Sequence, residues 1–162
     1  MKIMVFLHGT TIMHKNARGK PREERVQQVI AEDESVHDFA SYIPVDEAHH
    51  KLQRWRAQGA EILYLSSHRN DADVEMDRSV LQHYGFPDGP VFHRQMSESY
   101  ADVTSRVLPD VLIEDDCESI GGEPHMTYPH LPPDLQARIK SIVVKEFGGI
   151  DQLSDDISNL LR

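Results

Sequence analysis

Short apolar runs alternate with longer segments of helical periodicity along most of this chain, and this alternation restricts the possible folds more than any other feature. The apolar runs have neither a helical nor an alternating period, which is typical of strands that are buried on both faces. They lie at 3–7, 62–65, 111–113 and, more weakly, 90–92. The segments with apolar residues at three- and four-residue spacing are 45–58, 71–84 and 99–108. Because alternating strands and helices pack as right-handed crossover units, the sequence predicts an α/β fold: a three-layer, Rossmann-like parallel sheet with helices on both faces.

The chain length and one interruption of this pattern define the predicted domain organisation. At 162 residues the chain is long enough for one domain with a hydrophobic core and too short for two. We therefore expect a single domain over 1–162, with a small insertion at 13–44, directly after the first strand. An insertion there can lie over the carboxyl edge of the sheet as a cap, and the alternative is a helix packed on the flank of the sheet. Near the end of the chain, the segment 139–147 fits both an edge strand and a helix.

The charge and the cysteine content exclude several classes of partner and location. The formal net charge is −10 at pH 7 and no basic patch or tail is visible, so we expect no nucleic-acid partner. Cys117 is the only cysteine, which rules out an intramolecular disulfide and favours a reducing compartment. No apolar run approaches the length of a membrane span, and the start of the chain lacks the apolar region of a signal peptide. We expect a cytoplasmic protein with no membrane partner.

Polar side chains follow three of the predicted strands. In chain order they are His8, Thr10, Ser66, Asp115 and Asp116. Because the carboxyl ends of parallel strands meet at one edge of a sheet, the sequence predicts a pocket at that edge. Adjacent carboxylates repel each other and are costly to desolvate, and a bound hard cation such as Mg²⁺ commonly offsets this cost. The alternative is that Asp115 or Asp116 caps the turn that follows.

Ser66 ends its strand just before two basic side chains, His68 and Arg69. A hydroxyl in that position, together with backbone N–H groups and positive charge, can hold the oxygens of a phosphate group. Serine is equally common as the cap of a following helix, here the helix predicted from 71. Both interpretations stay open at this point.

The order and spacing of these segments resemble the haloacid dehalogenase-like (HAD-like) hydrolase superfamily over the range from about 2 to 122. Members of that superfamily carry an Asp-x-Asp-x-Thr motif after the first strand, then a Ser or Thr, then a Lys or Arg, and finally an acidic pair. The matching residues are Gly9 with Thr10, Ser66, Arg94, and Asp115 with Asp116, and the second choices for the hydroxyl and the basic residue are Ser67 and Arg106.

The resemblance implies a ligand and a cofactor as well as a fold. It implies that Thr10, Ser66 and Arg94 hold a small anionic or phosphorylated ligand. It also implies that Asp115 and Asp116 bind Mg²⁺, or Mn²⁺ or another divalent ion in its place.

The first motif departs from the superfamily pattern at both of its aspartates, which fall on Phe6 and His8. The first aspartate is the nucleophile, and a phenylalanine has no atom that can attack phosphorus. The second serves as general acid and base, a role that the imidazole of His8 can fill as a catalytic group. Alternatively, His8 is a structural residue hydrogen-bonded to a carboxylate such as Asp115, or a ligand of a transition metal together with the acidic pair. A shifted match would place His8 at the nucleophile position and lose the Gly-Thr agreement.

Two functions follow from this pattern. The first is a HAD-like protein with a metal- or phosphate-type pocket at the carboxyl edge of the sheet, which is not a classical aspartyl-phosphate phosphatase. The alternative is a divergent metal-dependent phosphoester hydrolase in which His8 and the pair Asp115 and Asp116 activate water. A proline-rich segment at 121–133 follows the acidic pair and should lie close to the pocket.

Overall fold

The computed structural model describes residues 1–162 and contains a five-stranded parallel sheet. The strands, including two short ones outside this sheet, are β1 (Lys2–Phe6), β2 (Ile12–Met13), β3 (Ile43–Pro44), β4 (Glu61–Leu65), β5 (Val91–Phe92), β6 (Val111–Asp115) and β7 (Lys140–Val144). The sheet order is β5-β4-β1-β6-β7, and every neighbouring pair is parallel. β2 and β3 pair antiparallel in a separate small sheet. The predicted α/β class with a Rossmann-like parallel sheet is confirmed.

Five α-helices connect these strands. They are α1 (Arg22–Ile30), α2 (Ala48–Ala57), α3 (Asp71–His83), α4 (Tyr100–Val107) and α5 (Pro133–Gln136). The three helices predicted from periodicity are present and slightly shorter than predicted. The cap of α3 is Asn70, whose side chain accepts a hydrogen bond from the Asp73 N–H at 2.8 Å, so Ser66 does not cap this helix. None of the helices combines the length and the apolar character that crossing a lipid bilayer requires.

Each face of the sheet has its own apolar core, because successive residues of a strand point to opposite faces. In β1, Ile3 and Val5 belong to one core, which also contains Trp55 of α2. Met4 and Phe6 belong to the other core, which also contains residues of α4 and α5. With helices covering both faces, every position of β1 after Lys2 is buried, and this explains why the run shows no polar–apolar alternation.

The segment 139–147, which fits both a strand and a helix by pattern, contains the edge strand β7. β7 pairs in parallel with β6 over its full length. After β7 the chain turns back toward β1, and the Phe147 N–H donates to the Gly9 carbonyl at 2.8 Å. This turn places Glu146 next to Gly9, at the carboxyl edge of the sheet.

The insertion at 13–44 contains α1 and is fixed to the turn after β7. Val26 of α1 shares a third apolar cluster with Phe147. The buried Arg25 donates from Nη1 to the Phe147 carbonyl at 2.9 Å and from Nε to the Ala17 carbonyl at 3.2 Å. These contacts hold α1 near the carboxyl edge of the sheet, and a capping role for the insertion stays a prediction.

Candidate functional site

A cavity of about 210 Å³ opens at the carboxyl edge of the sheet. His8, Ser67 and Asp115, which follow or end three different strands, all line it. Val36 and Tyr42 of the insertion line it as well. The convergence of the strand ends that the sequence predicts is therefore found in the structure.

A buried carboxylate on α3, Asp77, organises the polar groups on the β4 side of this cavity. Its side chain is 1% exposed. The Ser66 hydroxyl donates to Asp77 Oδ2 at 2.5 Å, and His68 Nδ1 lies 3.2 Å from the same oxygen. His8 Nε2 lies 3.0 Å from Asp77 Oδ1. Burial acts to raise the pKa of Asp77, but the hydrogen bonds from His68 and His8 outweigh it and hold this pKa well below its ordinary value, so the carboxylate is ionised.

His8 bonds to a different carboxylate from the one the sequence suggests. One of its ring nitrogens faces Asp77 and the other, Nδ1, lies 2.7 Å from the Ser67 hydroxyl. The expected partner Asp115 instead accepts hydrogen bonds from Thr10 and from the backbone. Both ring nitrogens of His8 are thus engaged away from the acidic pair.

The two hydroxyls that the resemblance assigns to phosphate, Thr10 and Ser66, are both fully buried. Thr10 Oγ1 donates to Asp115 Oδ2 at 2.8 Å, and Ser66 donates to Asp77. Neither lines the cavity, whereas the second-choice hydroxyl, that of Ser67, does. A hydroxyl held by a buried carboxylate is not free to hold a ligand oxygen without losing that bond. Of these three hydroxyls, that of Ser67 is the one beside the cavity, and its bond is to His8.

The acidic pair is divided between two structural roles. Asp115 Oδ1 accepts the Cys117 N–H at 2.9 Å and so caps the turn after β6. Asp116 Oδ1 accepts the Glu146 N–H at 3.1 Å, and its Oδ2 lies 3.1 Å from Lys145 Nζ. Each of these carboxylates thus has protein donors, and Phe6 adds no carboxylate beside them. Mg²⁺ binding by this pair stays a prediction.

The side chains whose metal-ligand atoms lie close together are found elsewhere in the structure. Two groups of three have ligand atoms within 4.8 Å of one another: His8 with His68 and Asp77, and Glu47 with His49 and His50. Asp115 and Asp116 belong to neither group.

Three buried carboxylates form the opposite wall of the cavity: Glu114, Asp115 and Glu146. Glu114 accepts the N–H groups of Thr127 and Tyr128 at 2.7 and 2.9 Å, which ties the proline-rich segment to the sheet edge. Burial, together with the charge of Asp115, raises the pKa of Glu146 to about 7, although hydrogen bonds from Ser119 act in the opposite direction. Burial also raises the pKa of Asp115. This wall therefore favours neutral or positively charged groups over anions.

Gly9 allows the β1 turn to approach this wall. Its φ is +85°, and a Cβ there would lie 3.0 Å from Asp115 Oδ2 and 3.1 Å from Glu146 Cγ. We expect Gly9→Ala to lower the free energy of unfolding by about 2 kcal/mol, from left-handed backbone strain and from this crowding. Urea denaturation measures the loss, and Gly19→Ala is the matched control because Gly19 has a φ of +70° with nothing within 4 Å. Equal losses in the two variants would contradict the crowding argument.

Arg94 is directed toward the site, and Arg106 is not. Arg94 Nη2 donates to the Ser67 carbonyl at 2.9 Å, and its guanidinium carbon lies 4.0 Å from the ring centre of Tyr100. Arg106 pairs with Glu98 at the surface. A second cavity of about 410 Å³, lined by Arg94 and also by Arg69, shares two residues with the first cavity, Tyr100 and His125.

Asp77 and Glu146 are the two site residues that sequence reasoning missed. Asp77 lies on the same helix face as the buried Val74 and Leu81. A carboxylate on an apolar helix face indicates a buried polar site, and this signal was present in the sequence. Glu146 comes after β7, whose ambiguous pattern gave no reason to place it at the carboxyl edge.

Comparison with solved structures finds chains of similar fold, one of them a HAD hydrolase. No protein-family model matches the sequence, and no curated protein matches it significantly. A HAD hydrolase, family IA, variant 3 from Entamoeba histolytica has a TM-score of 0.51 at 10% identity, over 99% of this chain and 98% of that one. A chain of the Pnkp1/Rnl/Hen1 RNA repair complex has a TM-score of 0.51 at 13% identity, over 90% of this chain. The present chain spans 43% of that chain, less than half its length. At these identities the likeness concerns the fold alone.

Proposed function

We propose that this HAD-like protein binds a small phosphorylated molecule at the carboxyl edge of its sheet and does not form an aspartyl phosphate. The observation that carries the proposal is the cavity lined by Arg94 and Arg69, which adjoins the cavity at the strand ends. The one carboxylate in its lining, that of Glu98, is paired with Arg106. Guanidinium groups match phosphate oxygens in geometry and charge. A phosphate group beside these arginines leaves the rest of the ligand in the cavity at the strand ends, which Ser67 lines.

The side chain at the end of β1 supports the exclusion of aspartyl-phosphate chemistry. Phe6 occupies the position of the superfamily's nucleophile, and its ring packs edge to face against Tyr100 with ring centres 4.9 Å apart. A phenyl ring offers neither a nucleophilic atom nor a metal ligand. At this position, therefore, no group can form the covalent aspartyl phosphate that the resemblance implies.

The walls of the cavity at the strand ends restrict the rest of the ligand. Val36 and Tyr42 line the side formed by the insertion, and the buried carboxylates, including Glu114, line the β6 side. Apart from its phosphate, a ligand that is apolar and carries a hydroxyl or an amino group suits this surface. The buried carboxylates would repel a second anionic group. The preferred ligand is a monophosphate with a neutral or cationic remainder.

Inorganic phosphate is the probe that tests this proposal. We expect phosphate to raise the melting temperature in a concentration-dependent manner, because a ligand that binds only the folded state stabilises it. Arg94→Met should weaken phosphate binding by about 10- to 100-fold, since a charge-assisted hydrogen bond contributes about 1.5–3 kcal/mol. Thermal unfolding at matched ionic strength measures both effects.

Arg54→Met is the matched control, because this arginine pairs with Asp155 at the surface and lines neither cavity. We expect it to bind phosphate like the wild type. Equal phosphate affinity in the wild type and in Arg94→Met would contradict the proposal, as would the lack of any phosphate effect on the wild type.

The alternative function, a Mg²⁺- or Mn²⁺-dependent phosphoester hydrolase that uses His8, Asp115 and Asp116, has weaker support. His8 bonds to Asp77 and Ser67, and the acidic pair is engaged with protein donors. A stabilisation by either ion that disappears in Asp115→Asn would favour this alternative over simple ligand binding.

A further inference from the structure

We propose that Ser67 is a nucleophile that His8 and Asp77 activate, and that the protein hydrolyses a phosphate monoester through a covalent phosphoserine. This inference rests on the proposed function for the position of the phosphate group and adds a reaction to it. The Ser67 hydroxyl lies 2.7 Å from His8 Nδ1, and His8 Nε2 lies 3.0 Å from Asp77 Oδ1. A hydroxyl, an imidazole and a carboxylate joined in this order form a hydrogen-bonded relay that activates serine nucleophiles on unrelated folds.

The contact with Asp77 determines which nitrogen of His8 carries the hydrogen. The second Asp77 oxygen already accepts from Ser66, and a His8 Nε2 without hydrogen would place its lone pair against the lone pairs of Oδ1. The favoured neutral tautomer therefore has its hydrogen on Nε2, which donates to Asp77. Nδ1 then carries a lone pair that accepts the Ser67 hydroxyl proton, as a general base must.

The relay is held in place by packing on both sides of the imidazole. The His8 ring lies 5.5 Å from the ring centre of Tyr42 and 4.4 Å from that of His68. The Asp77 carboxylate is itself fixed by bonds from Ser66 and His68 to its second oxygen. The nucleophile faces the cavity while the carboxylate behind it is buried, the arrangement that orients a base toward a substrate.

The proposed reaction has two steps, and neither changes the oxidation state of any group. In the first, Ser67 Oγ bonds to phosphorus, its proton moves to His8 Nδ1, and the bond from phosphorus to the leaving oxygen breaks as that oxygen takes the proton. In the second, water attacks the phosphoserine, His8 accepts the proton of the water, and Ser67 Oγ leaves and regains it. The products are an alcohol and inorganic phosphate.

Arg94 supplies positive charge beside the nucleophile. Its Nη2 donates to the carbonyl of Ser67, so its guanidinium group lies next to the residue that would carry the phosphoryl group. Charge on the phosphoryl oxygens in the transition state is stabilised by such a fixed cation. The same arginine thus serves binding in the proposed function and transition-state stabilisation here.

A fluorophosphonate probe tests whether Ser67 is activated. The serine oxygen displaces fluoride from phosphorus, and the mass of the intact protein and of its peptides reports the adduct and its position. We expect one adduct per chain on Ser67 in the wild type and none in Ser67→Ala. His8→Gln, with His8→Asn as a second variant if the first fails to fold, should slow labelling by about 10²- to 10⁴-fold, the usual contribution of a general base.

Ser119→Ala is the matched control. Ser119 also lines the cavity, but its hydroxyl donates to Glu146 and no histidine bonds to it, so labelling should equal that of the wild type. Folded wild-type protein that resists labelling, or an adduct that persists in Ser67→Ala, would overturn the proposal. It would also be overturned by a stoichiometric transition-metal ion on His8, His68 and Asp77 that blocks labelling.

The phosphate-binding experiment and the Ser67 labelling experiment can succeed or fail separately. If phosphate binds through Arg94 and Ser67 is not labelled, the ligand-binding function stands and the nucleophile does not. If Ser67 is labelled and phosphate does not bind, the nucleophile stands and the assigned ligand is wrong.

Discussion

Asparagine in place of Asp77 is expected to lower the free energy of unfolding by about 3 kcal/mol, because hydrogen bonds to a charged group contribute about 1.5–3 kcal/mol and a buried donor is left unpaired. The Ser66 hydroxyl and His68 Nδ1 bond to Oδ2 of this carboxylate, and His8 Nε2 bonds to Oδ1. An amide offers one oxygen and directs its N–H groups toward these donors, so at least one buried polar group loses its partner. Urea denaturation at pH 7 measures the change.

The matched control for this prediction is Asp71→Asn on the same helix, because the Asp71 side chain is 96% exposed. Its stability should stay within about 0.5 kcal/mol of the wild type. The ¹⁵N chemical shifts of His8 give a second readout: the Asp77→Asn variant should lose the preference for hydrogen on Nε2. A variant as stable as the wild type, with the His8 tautomer unchanged, would show that Asp77 does not organise this site.

The fold was predictable because its signals are local. The run at 3–7 and the segment 45–58 each carry their own periodicity, and the alternation of such segments specifies the layers. The segment 139–147 was not predictable in the same way. Its pattern fits two structures, and pairing with β6, which lies some 30 residues earlier in the sequence, selects the strand.

The site was predictable only in part, for a related reason. The parallel sheet brings His8, Ser67 and Asp115 to one edge, and the sequence predicts a parallel sheet without its strand order. Which side chains bond to one another is decided by residues distant along the chain. Asp77 lies 69 residues from His8, and Glu146 lies 27 residues from Ser119, so neither contact leaves a spacing motif.

The carboxyl end of β1 shows that individual side chains decide the chemistry of a fold. Phe6 offers no nucleophilic atom there, while two residues beyond it His8 bonds to Ser67 after the neighbouring strand and to Asp77 of α3. A resemblance in motif order therefore predicts the edge at which the site forms, and the side chains decide its reaction. His8, at a position where the resemblance in sequence implies an aspartate, joins Ser67 to Asp77.

The second large effect is a pH dependence of stability that arises from Glu146. Burial raises its pKa in the folded protein to about 7, from an ordinary value of 4.5. Between these values the folded chain holds a proton that the unfolded chain has released, so the free energy of unfolding falls as the pH rises through this window. The total change is up to about 3 kcal/mol, at about 1.4 kcal/mol for each pKa unit. Above pH 7 both states are ionised, and the loss is complete.

Glu146→Gln isolates this effect because the amide keeps the shape of the side chain without its charge. We expect the variant to gain stability relative to the wild type between pH 5 and 8, by up to about 3 kcal/mol, with the two proteins converging toward acid pH. Glu123→Gln, at an exposed position of the proline-rich segment, should show no such divergence. Urea denaturation at a series of pH values gives both differences. Parallel curves for the wild type and Glu146→Gln would mean that Glu146 ionises normally, and the carboxylate wall would then carry its full negative charge toward the ligand at neutral pH.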